Sequence, residues 1–300
     1  MMEQTGIAGT LCKEVEQHLL GVYPPREAAA ISVALMCSIC HMSRSEWYIQ
    51  RAEYVLSSDQ VIRLKEAEAR LKAGEPLQYV LGEASFGPFN LSVGRGVLIP
   101  RPETEELCNR IVEKHVLESS LRILDLGTGS AAIPLYLAYY LKDSSLYGVE
   151  KSSAALVYAH TNVTRYEHAI KGSVKLIEGD MTQPDSFIQQ IEPLDILVSN
   201  PPYVAEAERK SMAQHVLSYE PQEALFAFPH QDDLYYFRAI AALLPLLPKR
   251  LPFSLYLEIN SLLAEETLSL LRATQLFSDL QLVKDLSGKQ RFVMGIISNS

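Results

Sequence analysis

Basic charge is in short supply in this chain: Lys and Arg number 27 against 36 Asp and Glu, giving 300 residues a formal net charge of −9. A broad electrostatic grip on a nucleic-acid backbone needs an excess of cations, so no direct nucleic-acid partner is expected. A local basic patch remains compatible with the total. Cysteine is scarce too, at four residues, which argues against a disulfide framework and for reduced thiols. Long apolar runs are missing. The longest uncharged apolar-rich stretch, Ala28 to Cys40, falls well short of the roughly 20 residues a membrane helix needs, so no membrane partner is expected. The opening MMEQTGIAGT has neither a basic start nor an apolar core. No signal peptide is therefore expected, and the expected location is cytoplasmic. No internal repeat or low-complexity tract interrupts the pattern. What remains is a chain of ordinary globular composition, long enough for one large domain or two.

One cysteine pattern has two readings. Cys37-Ser38-Ile39-Cys40-His41 spells the C-x-x-C-H of covalent haem attachment. It also ends an apolar stretch, AAAISVALMCSIC, that reads as a buried helix. Core packing accounts for both thiols, and haem attachment would require export. No second ligand pair follows at zinc-finger spacing, so no metal is expected.

The chain changes texture along its length. Up to about Gly74 apolar residues recur at helical spacing, as in Ile7, Leu11, Val15 and Leu19. Ser43-x-x-Glu46 and Ser57-x-x-Gln60 have the form of capping boxes, and Gly74 that of a helix stop. A small helical bundle over residues 1–80 follows. Ala84 to Pro100 carries Gly and Pro punctuation with alternating apolar residues, and predicts a hairpin linker over about 81–105. From residue 106 to 300 strand-like runs alternate with helical ones: RILDLG, SLYGVE, VKLIEGD, ILVSN, SLYLEI, LQLVKDL and RFVMGII. The fold class is α/β, a seven-stranded doubly wound sheet. The last two runs are joined by so short a connection that the final strand should be antiparallel.

Asp125-Leu126-Gly127-Thr128-Gly129 sits where the first of these strands meets its helix. In open α/β sheets ligands bind beyond the carboxyl ends of the strands, and glycine lets the backbone approach closely. Gly127-x-Gly129-x-x-Ala132 fits a dinucleotide fingerprint, with Glu150 ending the next strand where a ribose-binding acid belongs. Asp125 separates nicotinamide dinucleotide from S-adenosyl-L-methionine. A carboxylate opposes a pyrophosphate but suits a sulfonium and an ammonium. At the end of the third strand, Asp180 has the chemistry to accept from an adenine amino group and Met181 to pack on its ring.

The fourth strand ends in Asn200-Pro201-Pro202-Tyr203. Each proline biases the residue before it toward extended backbone and removes an N–H. The Pro201 carbonyl is thus held stiffly beside the Asn200 side-chain oxygen. Two fixed acceptors suit a planar –NH₂ group, and Tyr203 offers a face for a planar substrate. An amide nitrogen is a poor nucleophile because its lone pair is delocalised. Accepting both of its N–H bonds aims it and stabilises the charge that develops as it is alkylated.

At these residues the catalytic part resembles a class I S-adenosylmethionine-dependent methyltransferase. In combination with GEPLQYVLGEASFGPFNLSVGRGVLIPRPETEEL, LDLGTGS, VSNPPYV, YEPQEAL and DLSGKQRFVMG, it resembles the peptide chain release factor glutamine methyltransferases. The resemblance runs from about residue 70 to the end. It implies methylation of the glutamine in a Gly-Gly-Gln motif, with release factors as partners, giving N5-methylglutamine. It places the donor site on Gly127, Thr128, Gly129, Ser130, Ala131, Glu150, Met181 and Asn200, beside Asp125 and Asp180, and the substrate site on Asn200 to Tyr203. Asn200, Pro201 and Tyr203 are the expected catalytic residues, and a monomer is expected. Ala131 departs from the family's usual glycine, Met181 from a frequent aromatic, and Asp233 from a surface glycine. Adenine or guanine methylation in nucleic acid would use a similar loop, as would ribosomal-protein glutamine methylation, although LIPRPETE favours the release-factor branch. A nicotinamide oxidoreductase would leave the NPPY loop unexplained.

Overall fold

The computed structural model describes residues 6–227 and 232–298. Five helices come first: α1 (Ala8–Leu19), α2 (Pro25–Cys40), α3 (Arg44–Gln50), α4 (Ser58–Lys72) and the short α5 (Leu77–Leu81). Both expected capping boxes are present. Ser43 caps α3 against Glu46 and Ser57 caps α4 against Gln60, each with its reciprocal side-chain bond. After α4, Gly74 takes φ +84°, where a Cβ would be strained. The buried faces of α1, α2 and α4 meet around Trp47. Cys12, Cys37 and Cys40 belong to this packing, and burial pushes the Cys40 thiol up to about 11. Such thiols are structural and unreactive.

The chain divides into two compact units, one running to Glu83 and taking in Ala213–Tyr219, the other comprising Ala84–Met212 and the chain from Glu220 onward. Within the first unit the Tyr219 hydroxyl donates to the Ala73 carbonyl at 3.0 Å.

The second unit opens with a hairpin, β1 (Glu83–Phe86) and β2 (Phe89–Ser92). It is shorter than the expected 81–105 segment. Gly87, at φ +53°, makes its turn, and a Cβ there would lie 2.3 Å from the Tyr136 ring. Phe86, Phe89 and Leu91 are buried in the core, so the hairpin is fastened to the sheet unit. Residues 93–101 then run as a loop into α6 (Pro102–His115). Pro102 opens that helix and Glu103 and Glu105 occupy its first turn, where proline fits without losing a bond and acids oppose the helix dipole.

The sheet contains β3 (Arg122–Leu126), β4 (Ser145–Glu150), β5 (Ser173–Glu178), β6 (Leu194–Ser199), β7 (Lys249–Glu258), β8 (Asp279–Lys284) and β9 (Gln290–Ile297). Their order is β5-β4-β3-β6-β7-β9-β8. The first five are parallel and β9 pairs antiparallel with both β7 and β8, as the short last connection requires. Alternation along each strand feeds two cores. Ile123, Ile196, Val198 and Tyr256 face one, and Leu124, Leu126, Leu197, Leu255 and Leu257 the other. The first is covered by α6, α7 (Ala132–Tyr140) and α8 (Ser153–Tyr166). The almost wholly apolar α7 is buried over Ala132–Ala138, as a helix without a polar face must be. Between β6 and β7 lie α9 (Gln214–Tyr219), α10 (Gln222–Leu225) and α11 (Tyr235–Leu243), and α12 (Ala264–Arg272) follows β7. No single helix among the described residues is long and apolar enough to cross a membrane.

Candidate active site

Sequential strands fall on opposite sides of β3: β4 and β5 on one, β6 and β7 on the other. A crevice must open at such a reversal, at the carboxyl ends of the strands. A cavity of about 310 Å³ lies there, lined by residues from the ends of β3, β4, β5 and β6. Of the expected site residues, Gly127, Thr128, Gly129, Ser130, Glu150, Asp180, Met181, Asn200 and Pro202 line it. Asp125, Ala131, Pro201 and Tyr203 stand outside that lining.

The turn after β3 is a run of left-handed backbone, with φ of +77° at Gly127, +56° at Gly129 and +63° at Ala131. The two glycines take this without strain. At Gly127 a Cβ would also come within 3.3 Å of the Met181 methyl. Ala131 carries a real strain, and its methyl is buried in the core. Its departure from glycine thus acts through backbone conformation, not through crowding of the cavity. Glu150 secures the turn: one oxygen accepts from Gly129 N at 2.9 Å and the other from Ser152 N at 2.8 Å. Burial still raises its pKa against those bonds. Asn162 of α8 bridges Ser130 and the hairpin by donating to the carbonyls of Ser130 and Ser92, each at 3.0 Å.

Beneath the turn, Asp125 is buried, and the only polar side chain that engages it is the neighbouring, equally buried Thr128 hydroxyl, too poorly aligned for a well-formed hydrogen bond. Burial pushes the Asp125 carboxyl up to about 7, and the charge of Glu150 adds to the shift. Two acids converging here favour a ligand that brings positive charge, and oppose a pyrophosphate. At the far end of the cavity, Asp180 meets Lys151 Nζ at 2.8 Å and accepts from Thr182 N at 2.9 Å. Burial raises the Asp180 carboxyl, but these bonds together outweigh it and hold it below the usual range. Tyr236 of α11 lines the same cavity.

The other wall comes from the loop before α6. Gly96, Val97, Leu98, Pro100 and Arg101 line the cavity where a longer hairpin was expected. The loop is held by buried Glu220, which accepts from Ile99 N at 3.2 Å and pairs with Arg101 at 2.8 Å.

The NPPY loop is fastened at several points. Ser199 donates to the Leu126 carbonyl at 2.6 Å, tying the ends of β6 and β3. Asn200 Nδ2 donates to Thr104 Oγ1 at 2.9 Å, and Thr104 donates to Glu258 at 2.7 Å. The Tyr203 hydroxyl donates to the other oxygen of Glu258 at 2.7 Å. Its backbone carbonyl accepts from Asn260 Nδ2 at 3.1 Å. Tyr203 is partly buried against the core. Burial drives its hydroxyl well up, and the Glu258 charge adds to this, so it remains a donor. Glu258, Asn260 and Tyr236 were missed by sequence reasoning, and Arg101, Thr104 and Glu220 stood in the motifs RPETE and YEPQEAL without being assigned to the site. One signal was available: an acid, Glu258, ends the otherwise apolar strand SLYLE.

Two family models match, the PrmC N-terminal domain over residues 11–82 and the methyltransferase small domain over residues 104–226. The release factor glutamine methyltransferase of Bacteroides thetaiotaomicron is 35% identical over 93% of this chain and 96% of its own length. That of Flavobacterium psychrophilum is 36% identical over 82% of this chain and 86% of its own. Among solved structures, the hMettl16 catalytic domain in complex with a MAT2A 3′UTR hairpin aligns with a TM-score of 0.50 at 17% identity, covering 82% of this chain and 84% of that one. This last likeness concerns the fold alone.

Proposed function

The chain belongs to the release factor glutamine methyltransferases, and we propose that it methylates the side-chain amide of the Gly-Gly-Gln glutamine in peptide chain release factors. Its methyl donor is S-adenosyl-L-methionine. The observation that carries this reading is that Asn200 lines the same cavity as the Gly127–Gly129 turn, with its backbone carbonyl 4.0 Å from where a Gly127 Cβ would stand. The residues present fit the donor: Glu150 and Asp180 line the cavity and Asp125 is buried beneath its turn, an acidic setting suited to a cationic ligand.

In this reading Gly127 to Ser130 cradle the methionine portion. Glu150 accepts from the ribose hydroxyls, and Asp180, Met181 and Tyr236 bound the adenine. When bound, the donor supplies a methyl carbon made electrophilic by its sulfonium. Asn200 Oδ1 and the Pro201 carbonyl accept the two N–H bonds of the glutamine amide, so the nitrogen is aimed at that carbon. The same two acceptors stabilise the positive charge that develops on nitrogen. No general base is needed before attack, because the alkylated nitrogen loses its proton readily to water. Tyr203 borders the amide with one face of its ring while its hydroxyl stays on Glu258.

The helical unit selects the partner. The amide pocket alone would admit any accessible –CONH₂, so specificity requires remote contacts. That unit exposes Tyr48, Ile49 and Ile62, with Ile49 81% accessible. The protein acts as a cytoplasmic monomer. Incubation with radiolabelled donor and either a purified release factor or nucleic acid tests the reading. Label should enter the release factor, on glutamine by mass spectrometry of fragments. Transfer to nucleic acid, which an NPPY loop also serves, would overturn it.

A further inference from the structure

An asparagine side chain has two ends of nearly equal shape and opposite hydrogen-bonding sense. If Asn200 presented Nδ2 to a substrate amide, donor would face donor and the site would repel what it must hold. Nothing within Asn200 itself decides between the two orientations, so the surroundings must.

Three bonds make that decision. Glu258 is fully buried at the end of β7; burial raises its pKa, while the hydroxyls of Tyr203 and Thr104 and the charge of Arg291 favour the ionised form, which is acceptor-only. It accepts hydrogen bonds from the Thr104 hydroxyl at 2.7 Å and from the Tyr203 hydroxyl at 2.7 Å. Thr104 has one proton, and that proton is committed to Glu258. Its Oγ1 can therefore only accept from Asn200, and Nδ2 lies 2.9 Å away. Oδ1 is turned the other way. The same carboxylate thus orients Asn200 and anchors Tyr203, at the two ends of the NPPY sequence. The participants come from the first turn of α6, the end of β6 and the end of β7, three rigid elements converging on one side chain.

We propose that Thr104 and Glu258 are positioning residues that fix the polarity of the Asn200 amide, so that Oδ1 and not Nδ2 faces the substrate nitrogen. The proposal rests on the substrate reading above and adds the device that makes the pocket an acceptor. Hydrogen bonds in series polarise one another, so the buried charge also strengthens the Asn200 bond to Thr104.

Two variants separate this role from direct contact, since Thr104 also borders the cavity. Thr104→Val keeps shape and loses the hydroxyl, whereas Thr104→Ser keeps the hydroxyl. In the full-length protein at saturating donor, T104V should lower single-turnover methylation of a release factor by on the order of 10- to 100-fold, the scale of a misplaced reacting group. T104S should restore most of the rate, and the dissociation constant of S-adenosylhomocysteine should hold in both. In an Asn200→Ala background, T104V should add no further loss, because a residue that acts through Asn200 has nothing left to orient. A full additional loss there would assign Thr104 to the substrate directly and overturn the proposal. So would weaker S-adenosylhomocysteine binding with a lowered melting temperature, which is the mark of a purely structural role.

A second measurement does not depend on the substrate. In ¹⁵N-labelled protein, hydrogen exchange at the Asn200 side-chain amide, assigned by its disappearance in N200A, should be slow in wild type and T104S and fast in T104V. Equal exchange in wild type and T104V would sink the relay. Wild-type failure to label any release factor, with that exchange pattern intact, would remove the substrate reading and leave the relay standing.

Discussion

The two halves of the active site are built by different means. The proposed donor half is built around one short local stretch, the end of β3 and its left-handed turn, gripped by an acid 21 positions on, Glu150 to Gly129 N at 2.9 Å. The acceptor half is made by residues far apart in the chain. Thr104 lies 96 positions from Asn200, and Glu258 lies 55 from Tyr203 and 154 from Thr104. A flexible metabolite is held by backbone groups that a local motif can supply. A reacting nitrogen needs side-chain acceptors of defined direction, and only rigid elements meeting from several sides supply that.

This contrast predicts that the halves fail separately. The largest effect belongs to Asn200→Ala. Loss of one preorganised group of this kind costs about 2.7–4 kcal/mol, or roughly 10²–10³ in rate. Single-turnover methylation at saturating donor should fall by that factor, and calorimetry should find a far smaller change in S-adenosylhomocysteine affinity. Near-normal turnover would remove Asn200 from the chemistry.

Glu150→Ala should do the reverse. The substitution removes the grip on Gly129 and Ser152 together with the proposed charge-assisted bonds to the ribose hydroxyls. S-adenosylhomocysteine should bind about 10- to 100-fold more weakly, given roughly 1.5–3 kcal/mol for a bond to a charged group. The rate at saturating donor should move far less. An unchanged dissociation constant would place Glu150 outside the donor site.

The third test is one of pH. Burial raises the Asp125 carboxyl from 3.8 to about 7, so a cationic ligand in the cavity above it feels its negative charge mainly above that value. S-adenosylhomocysteine affinity should rise as pH passes upward through about 7, by on the order of tenfold. Asp125→Asn should flatten that profile. Stability follows the opposite course. Between 3.8 and about 7 the folded chain keeps a proton that the unfolded chain has released. The Asp125 contribution to stability is therefore greatest below the unfolded value and is lost as pH rises through the folded one. Urea unfolding at pH 5 and pH 8 should differ less in D125N than in wild type. A pH profile of binding that survives the substitution unchanged would assign it to another group.

The smallest effect is expected at Ala131→Gly. Relief of left-handed strain is worth about 1–2 kcal/mol. Against it stand the greater freedom of an unfolded glycine, about 0.5–1 kcal/mol, and a buried methyl worth about 0.8 kcal/mol. Stability should change by less than about 1 kcal/mol, with donor affinity unaffected because Ala131 faces the core. A marked gain in donor affinity would show that the turn is held out of its best shape.

Much of this molecule is written locally. The alternation that splits Ile196 and Val198 from Leu197 between two cores, the capping boxes at Ser43 and Ser57, and the antiparallel end strand all follow from neighbours a few residues apart. So does the position of Asn200 just past β6. The loop from residue 93 to 101 and the short helices between β6 and β7 carry weak periodicity, because their apolar residues answer to distant surfaces and not to one repeating face.

The sequence by itself determined which groups stand at the strand ends, since strand, turn and helix each follow from short-range sterics and patterning. Which way the Asn200 amide points, and what Tyr203 holds, only the tertiary structure decided. Those depend on Thr104 and Glu258 arriving from other elements, and a hydrogen bond between residues 154 positions apart leaves no period in the chain to find.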